Sequence, residues 1–285
     1  MKHRGPMLLL AGLGIVMIGA CSDDEGGPAP TMATIWPHAD GSAWTFDVTA
    51  TWIWDEGVVM PATLPSLEAL HADLQQPPPG PADSADTALF TFALNGMTAT
   101  SAGMPVQAVA VSVEWLSSGE KVPFDRVGSQ ISTLLGGEAF AFADSGYYRY
   151  STASPEPRWV YLEGDLRPGT EFSYRQALDI LPDWWLSGRI WSVGDREIGG
   201  QRYREVVECM YRLDLGDAEY DGGTVRNVVY GVVFYAPQIG PVAWHERSRI
   251  ISRTAYNPEG TPIGGKPGCT DQHGTLVAAQ LPSVP

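Results

Sequence analysis

The chain reads as mainly β: an antiparallel sheet, sandwich or half-barrel with one or two short helices. Period-two alternation of apolar and polar residues recurs along it, the pattern of strands that bury one face. Breaks rich in glycine, proline and asparagine separate these runs at short intervals, and helical spacing is confined to two places.

The first strand is 44–52, where Trp44, Phe46, Val48, Ala50 and Trp52 alternate with Thr45, Asp47, Thr49 and Thr51. Leu64, Leu67, Leu70 and Leu74 then mark a short amphipathic helix, closed by the proline run 77–81. Phe90, Phe92 and Leu94 form a second strand before the turn signal Asn95-Gly96. Val109, Val111, Val113 and Trp115 form a third. Asp125 is placed to cap a helix over 126–135 that stops at Gly136. Short strands are expected at 147–150, 159–162, 172–175 and 189–193. Two longer ones, 203–213 and 225–235, are joined by the acidic turn 217–223. Residues 228–235 are apolar at both alternating sets, which predicts a central strand. The last expected strand, 242–254, follows the turn Pro237-Gln238-Ile239-Gly240-Pro241.

At the N-terminus, Lys2, His3 and Arg4 precede a short apolar stretch, 7–18, and then Gly19-Ala20-Cys21. That order reads as a secretory signal with a core too short to span a bilayer. With Ile18 three residues before it, Cys21 resembles the lipobox of bacterial lipoproteins. The resemblance implies cleavage before Cys21, lipidation of its thiol and amine (palmitate among the chains) and, because Ser22 rather than Asp follows, sorting to the outer membrane. The chain divides accordingly into a signal peptide (1–20), a flexible Gly/Pro-rich tether (21–40) and a single β-rich domain (41–285).

A second resemblance covers most of the body. Gly41-Ser42-Ala43-Trp44-Thr45-Phe46, Gly146-Tyr147-Tyr148, Leu166-Arg167-Pro168-Gly169-Thr170-Glu171-Phe172 and Phe234-Tyr235-Ala236-Pro237-Gln238-Ile239-Gly240-Pro241-Val242 occur in this order. The series is similar to a group of uncharacterised β-rich bacterial lipoproteins whose final hairpin carries Tyr-Ala-Pro-x-Ile-Gly-x-Val or a close variant. This chain has Gln238 and Pro241 where the group favours Gly and Leu, and both touch turn geometry only. The resemblance implies a β fold and a cell-envelope address, and supplies no catalytic residue.

Composition narrows the partners. The chain has a net charge of −15, and cleavage before Cys21 removes Lys2 and Arg4 but no acidic residue. So acidic a body repels nucleic acid, and no nucleic-acid partner is expected. In an oxidising compartment Cys209 and Cys269 are expected to pair as a disulfide, whose long loop is worth roughly 4 kcal/mol by chain entropy. Two cysteines without nearby histidines make a poor zinc set, so no metal and no cofactor is expected.

Five constellations could carry chemistry. His245, Arg247 and Arg249 share one strand face and could hold an anion, or pair with carboxylates on a neighbouring strand. Trp184, Trp185 and Trp191 could line a sugar- or lipid-binding surface, or fill a β core. Asp217, Glu219 and Asp221 open like a calcium loop, but Val228 stands where the bidentate Glu belongs, so an acidic turn is the plainer reading. Ser118-Gly119-Glu120-Lys121 matches Ser-x-x-Lys without its partner motifs. His245-Glu246 opens like a zinc-protease motif but has Arg249 in place of the second His.

These observations lead to a non-enzymatic, lipid-anchored envelope protein that binds a hydrophobic or glycan ligand, or a partner protein, through its sheet. Two alternatives stay open: an envelope hydrolase whose carboxylates meet only in the fold, and a purely structural or assembly lipoprotein.

Overall fold

The computed structural model describes residues 29–53, 63–82, 84–116, 139–143, 146–150, 157–162, 164–178, 181–220, 223–252 and 266–282. Among them are twelve strands and two helices: α1 (Met32–Ile35), β1 (Ala43–Ile53), α2 (Leu67–Leu74), β2 (Ser84–Ala99), β3 (Pro105–Trp115), β4 (Ala139–Ala143), β5 (Gly146–Tyr150), β6 (Pro157–Tyr161), β7 (Glu171–Leu178), β8 (Leu181–Ile198), β9 (Gln201–Tyr220), β10 (Gly223–Ala236), β11 (Gly240–Ser252) and β12 (Lys266–Gln280). All pairings are antiparallel in one sheet, ordered β6-β5-β4-β3-β2-β1-β12-β11-β10-β9-β8-β7. The mainly β fold expected from the alternation is the fold observed.

Each strand but β6 therefore neighbours its successor in the chain, and β12 returns to pair with β1. The two edge strands, β6 and β7, are also consecutive in the chain. A flat sheet would hold them about 50 Å apart at ~4.8 Å per strand, yet the nine-residue link 162–170 reaches no more than about 35 Å. The sheet must curl. Trp36 shows how far: its ring lies 6.2 Å from Phe140 and 5.7 Å from Phe142 on β4, and 5.8 Å from Tyr235 on β10. Those strands are six places apart. The architecture is a half-barrel wrapped around one indole.

Trp36 follows α1, which corrects the expected tether. Residues 32–36 were to belong to a flexible segment, but they fold, with Ile35 and Trp36 fully buried in the main core. The helix is one turn long for local reasons. Thr34 Oγ1 accepts the Thr31 N–H at 3.0 Å, and Pro37 forces the preceding Trp36 to extended backbone, φ −109° and ψ 104°.

Alternation places the inner face. Trp44, Phe46, Val48 and Ala50 of β1 face inward with Phe90, Phe92 and Leu94 of β2, Val207, Cys209, Tyr211 and Leu213 of β9, and Val229, Val233 and Tyr235 of β10. Strand β10 is central, as its two apolar faces require. Its outer side, with Val228, Tyr230 and Val232, is covered by Leu70 and Leu74 of α2. That helix starts at Ser66, whose Oγ accepts the Ala69 N–H at 3.3 Å.

Two further expectations need correction. Asn95-Gly96 is not a hairpin turn: β2 runs through it, with a register shift between Leu94 and Met97 and Gly96 at φ +74°. The β2–β3 hairpin turns instead at 101–104. The Cys209–Cys269 disulfide is absent and both thiols are free. Cys209 faces the interior from β9, while Cys269 lies on the outer face of β12, with β10 and β11 between them. A disulfide needs Cα atoms within about 7 Å, which this placement forbids. The expected helix 126–135 lies outside the described residues.

Candidate functional site

Strands β11 and β12 lie side by side at the centre of the sheet, with His245 directly opposite His273 and Arg247 directly opposite Asp271. Period two sends Trp244, Glu246 and Ser248 inward and His245, Arg247 and Arg249 outward, the shared face read from the sequence. On β12 the same rule sends Asp271 and His273 outward. The site is the outer-face cluster this creates, and α2 lies against it.

Asp271 is its hub. This buried carboxylate accepts Arg247 Nε at 2.8 Å, faces His245 Nε2 at 2.8 Å through Oδ1, and faces His273 Nε2 at 3.1 Å through Oδ2. Burial alone would raise its pKa, but the donors from His245, His273 and Arg247 outweigh it and hold the carboxyl well below the ordinary carboxylate range. The two imidazoles stack with centroids 3.8 Å apart. His245 is pulled below its ordinary pKa, first by burial and despite the Asp271 hydrogen bond that opposes the shift.

Arg247 is 1% exposed and fully engaged. Beyond Asp271, its Nη1 donates to Asp73 Oδ2 and to the Asp73 carbonyl, each at 2.9 Å, and Nη2 donates to the Gln76 carbonyl at 3.0 Å. Those carbonyls are at the end of α2, so the guanidinium caps the helix C-terminus with a positive charge. Arg249 Nη2 reaches Asp73 Oδ1 at 2.6 Å, and the Tyr230 hydroxyl donates to Asp73 Oδ2. A second clamp fixes the other side of α2. His71 Nε2 meets Glu208 Oε1 at 2.8 Å and its ring stacks on Trp191 at 3.9 Å; Glu208 Oε2 also accepts Ser192 Oγ at 2.7 Å and Arg196 Nη2.

The anion reading of His245, Arg247 and Arg249 therefore meets a face already supplied with carboxylates, two from Asp73 and Asp271. The three tryptophans do not form one platform. Trp184 packs toward the main core, Trp185 is exposed on the opposite face, and Trp191 lies under His71 with the Arg189 guanidinium 4.6 Å from its ring. Asp217 is taken by Arg226 Nη1 at 2.8 Å; the Glu219 side chain, Asp221 and Ser118–Lys121 lie outside the described residues, as does Cys21.

On the inner face, one lateral row crosses eight strands in register: Asp86, Ala50, Gln272, Glu246, Gly231, Tyr211, Gly188 and Phe172. The Tyr211 hydroxyl reaches over Gly231 and donates to Glu246, and a Cβ on Gly231 would lie 2.8 Å from that hydroxyl. Burial pushes the Glu246 carboxyl up to about 8, against the Tyr211 hydrogen bond. Sequence reasoning missed Asp73, Asp271, His273 and this row. Asp271-x-His273 had the right spacing, but its strand was not recognised.

At the α1 end of the half-barrel, an open cleft of about 570 Å³ is lined by Ala33, Pro37, Ala39, Leu281 and Pro282, with Thr34, His38 and Gln238 as its polar groups. A smaller one of about 300 Å³ lies on the other side of His38, whose ring stacks on Phe142 at 4.6 Å.

No known family pattern matches the chain, and no curated protein sequence is similar to it. Two crystal structures align with it. One is of a candidate lipoprotein from Parabacteroides distasonis, at 12% identity and TM-score 0.29; the other is of a candidate exported protein with a YmcC-like fold from Bacteroides fragilis, at 12% identity and TM-score 0.28. Each alignment covers 87% of this chain and 99% of the other.

Proposed function

We propose that this chain is a lipid-anchored protein of the bacterial envelope, sorted to the outer membrane, that holds an apolar ligand without transforming it. The anchor rests on Cys21 and the apolar segment before it. The binding reading is carried by the cleft of about 570 Å³ beside α1, a size that suits a single acyl chain or similar small ligand. Its position supports the choice. Eleven residues lie between Cys21 and Ala33, the first residue of the cleft lining, so at most about 42 Å of chain joins the anchored end to the cleft. An apolar ligand drawn from the membrane meets this end of the body first.

A hydrophobic ligand fits better than a glycan, because Trp184, Trp185 and Trp191 are divided between two faces and offer no continuous stacking surface. A hydrolase fits less well, because the outer-face carboxylates Asp73, Asp271 and Glu208 are each held by arginines and histidines within the same cluster.

Titration of the detergent-extracted protein with a dansyl-labelled fatty acid tests the ligand. Saturable one-to-one binding, lost on Leu281→Asp, is the expected result; linear uptake that the substitution leaves unchanged would sink it. Fractionation tests the anchor: the Cys21→Ala protein is expected to leave the membrane fraction, and its retention there would count against lipidation.

A further inference from the structure

The outer-face cluster contains a donor set that the Arg247 clamp does not explain. One ring nitrogen each of His245 and His273 and a carboxylate oxygen of Asp271 all lie within 4.8 Å of one another. We propose that His245, His273 and Asp271 bind a divalent transition-metal ion, zinc in the first instance, on the outer face of the sheet.

The backbone preorganises the three groups. His245 and His273 are directly paired across two central strands, and Asp271 follows two residues before His273 on the same face. Neither strand is an edge, so the positions cannot splay apart. Tetrahedral coordination at about 2.0–2.1 Å separates neighbouring donors by about 3.3 Å. His245 lies 2.8 Å from Asp271 Oδ1 and His273 lies 3.1 Å from Asp271 Oδ2, and no two of the three ligand atoms are more than 4.8 Å apart, so side-chain rotations alone bring the donors to coordinating separation.

The donor chemistry selects the ion class. Two imidazoles and one carboxylate suit zinc, copper, nickel or ferrous iron, and are poor for calcium or magnesium, which require oxygen. Three protein ligands leave a fourth position for water. The His273 side chain is about half exposed, which opens that position and an entry path to solvent.

Arg247 serves as the outer partner that orients Asp271, as hydrogen-bonded carboxylates in metal sites require. Its positive charge also limits affinity. Asp73 offsets much of that charge by pairing with Arg247 and Arg249, but the ion still meets only one carboxylate, already shared. Micromolar rather than nanomolar binding is expected.

The test is calorimetry of the tag-free, detergent-extracted full chain with zinc chloride, beside cobalt substitution read by visible absorption. The expected result is one equivalent per chain, the intense cobalt bands of a four-coordinate site, and at least tenfold weaker binding in His273→Ala. That histidine is half exposed, so its loss leaves the fold intact. His245→Gln is expected to act in the same direction. Absence of saturable binding, or affinity unmoved by either substitution, overturns the proposal. So does a loss produced by His71→Gln alone, since that would place zinc at the His71–Glu208 pair.

Discussion

Tyr211 on β9 and Glu246 on β11 are hydrogen-bonded across an intervening strand, because Gly231 between them has no side chain to block the path. The bond joins a phenol to a carboxyl that burial has raised to about 8. At neutral pH the native Glu246 is therefore protonated, while the unfolded carboxyl is ionised.

The sign of the resulting pH dependence follows. The folded pKa of Glu246 lies above the unfolded value, so its contribution is complete below about pH 4.5 and is lost as pH rises toward 8. Asp271 works oppositely: its depressed pKa adds stability above about pH 4 that disappears as pH falls. Stability should peak near pH 5 and decline by a few kcal/mol toward pH 8. Urea denaturation across this range reads the decline, and Glu246→Gln should flatten it. An unchanged slope in that variant would mean that Glu246 is already ionised in the fold.

Gly274 is needed for a different reason from Gly231: the Trp244 indole lies where its side chain would be. A Cβ there would sit 2.2 Å from the ring. Gly274→Ala must displace Trp244 from the main core and should cost about 1–3 kcal/mol. Gly194→Ala is the control, since nothing lies within 4 Å of its Cβ position, and it should stay within about 0.5 kcal/mol. Near-ultraviolet circular dichroism should change in the first variant only.

These glycines also explain what could and could not be read from the sequence. Strands β1, β9, β10 and β11 were legible because burial on one face forces alternation, and β10 because α2 and the core bury both of its faces. The whole of β12 was not. Residues 266–280 carry Pro267, Gly268, Asp271 and Gly274, all poor strand formers, and the strand exists because β1 and β11 pair with it on either side. Missing β12 hid the strand that joins the two halves of the sheet and, with it, Asp271 and His273. Asp73 was equally hidden, since nothing local tells a helix aspartate that it will meet two arginines more than 170 residues later. Trp36 was assigned to a tether on composition, although the centre of the half-barrel depends on it.

Asp73 holds two guanidiniums and a tyrosine hydroxyl at once, so removing it should damage more than its own surroundings. Asp73→Ala leaves Arg247 buried with part of its charge unpaired and frees the C-terminus of α2. A cost of about 3 kcal/mol is expected, typical of breaking one side of a buried pair. Hydrogen exchange should show protection lost first over 67–74, while β10 beneath stays protected. Uniform loss across the sheet would mean that α2 does not open as a separate unit.

Cys209 and Cys269 provide the last prediction. Cys209 is enclosed in the main core and Cys269 beside Ile53, and burial raises both thiol pKa values, that of Cys269 to about 12. A thiol must ionise and be reached before it reacts, and neither condition holds in the native state. In a Cys21→Ala background, iodoacetamide at pH 8 should leave the folded protein unmodified and add two labels in urea, without any reductant. Thermal stability should likewise be the same with and without dithiothreitol. A requirement for reductant before labelling in urea would show that the two thiols can approach in a way that their opposite faces and the two strands between them do not allow.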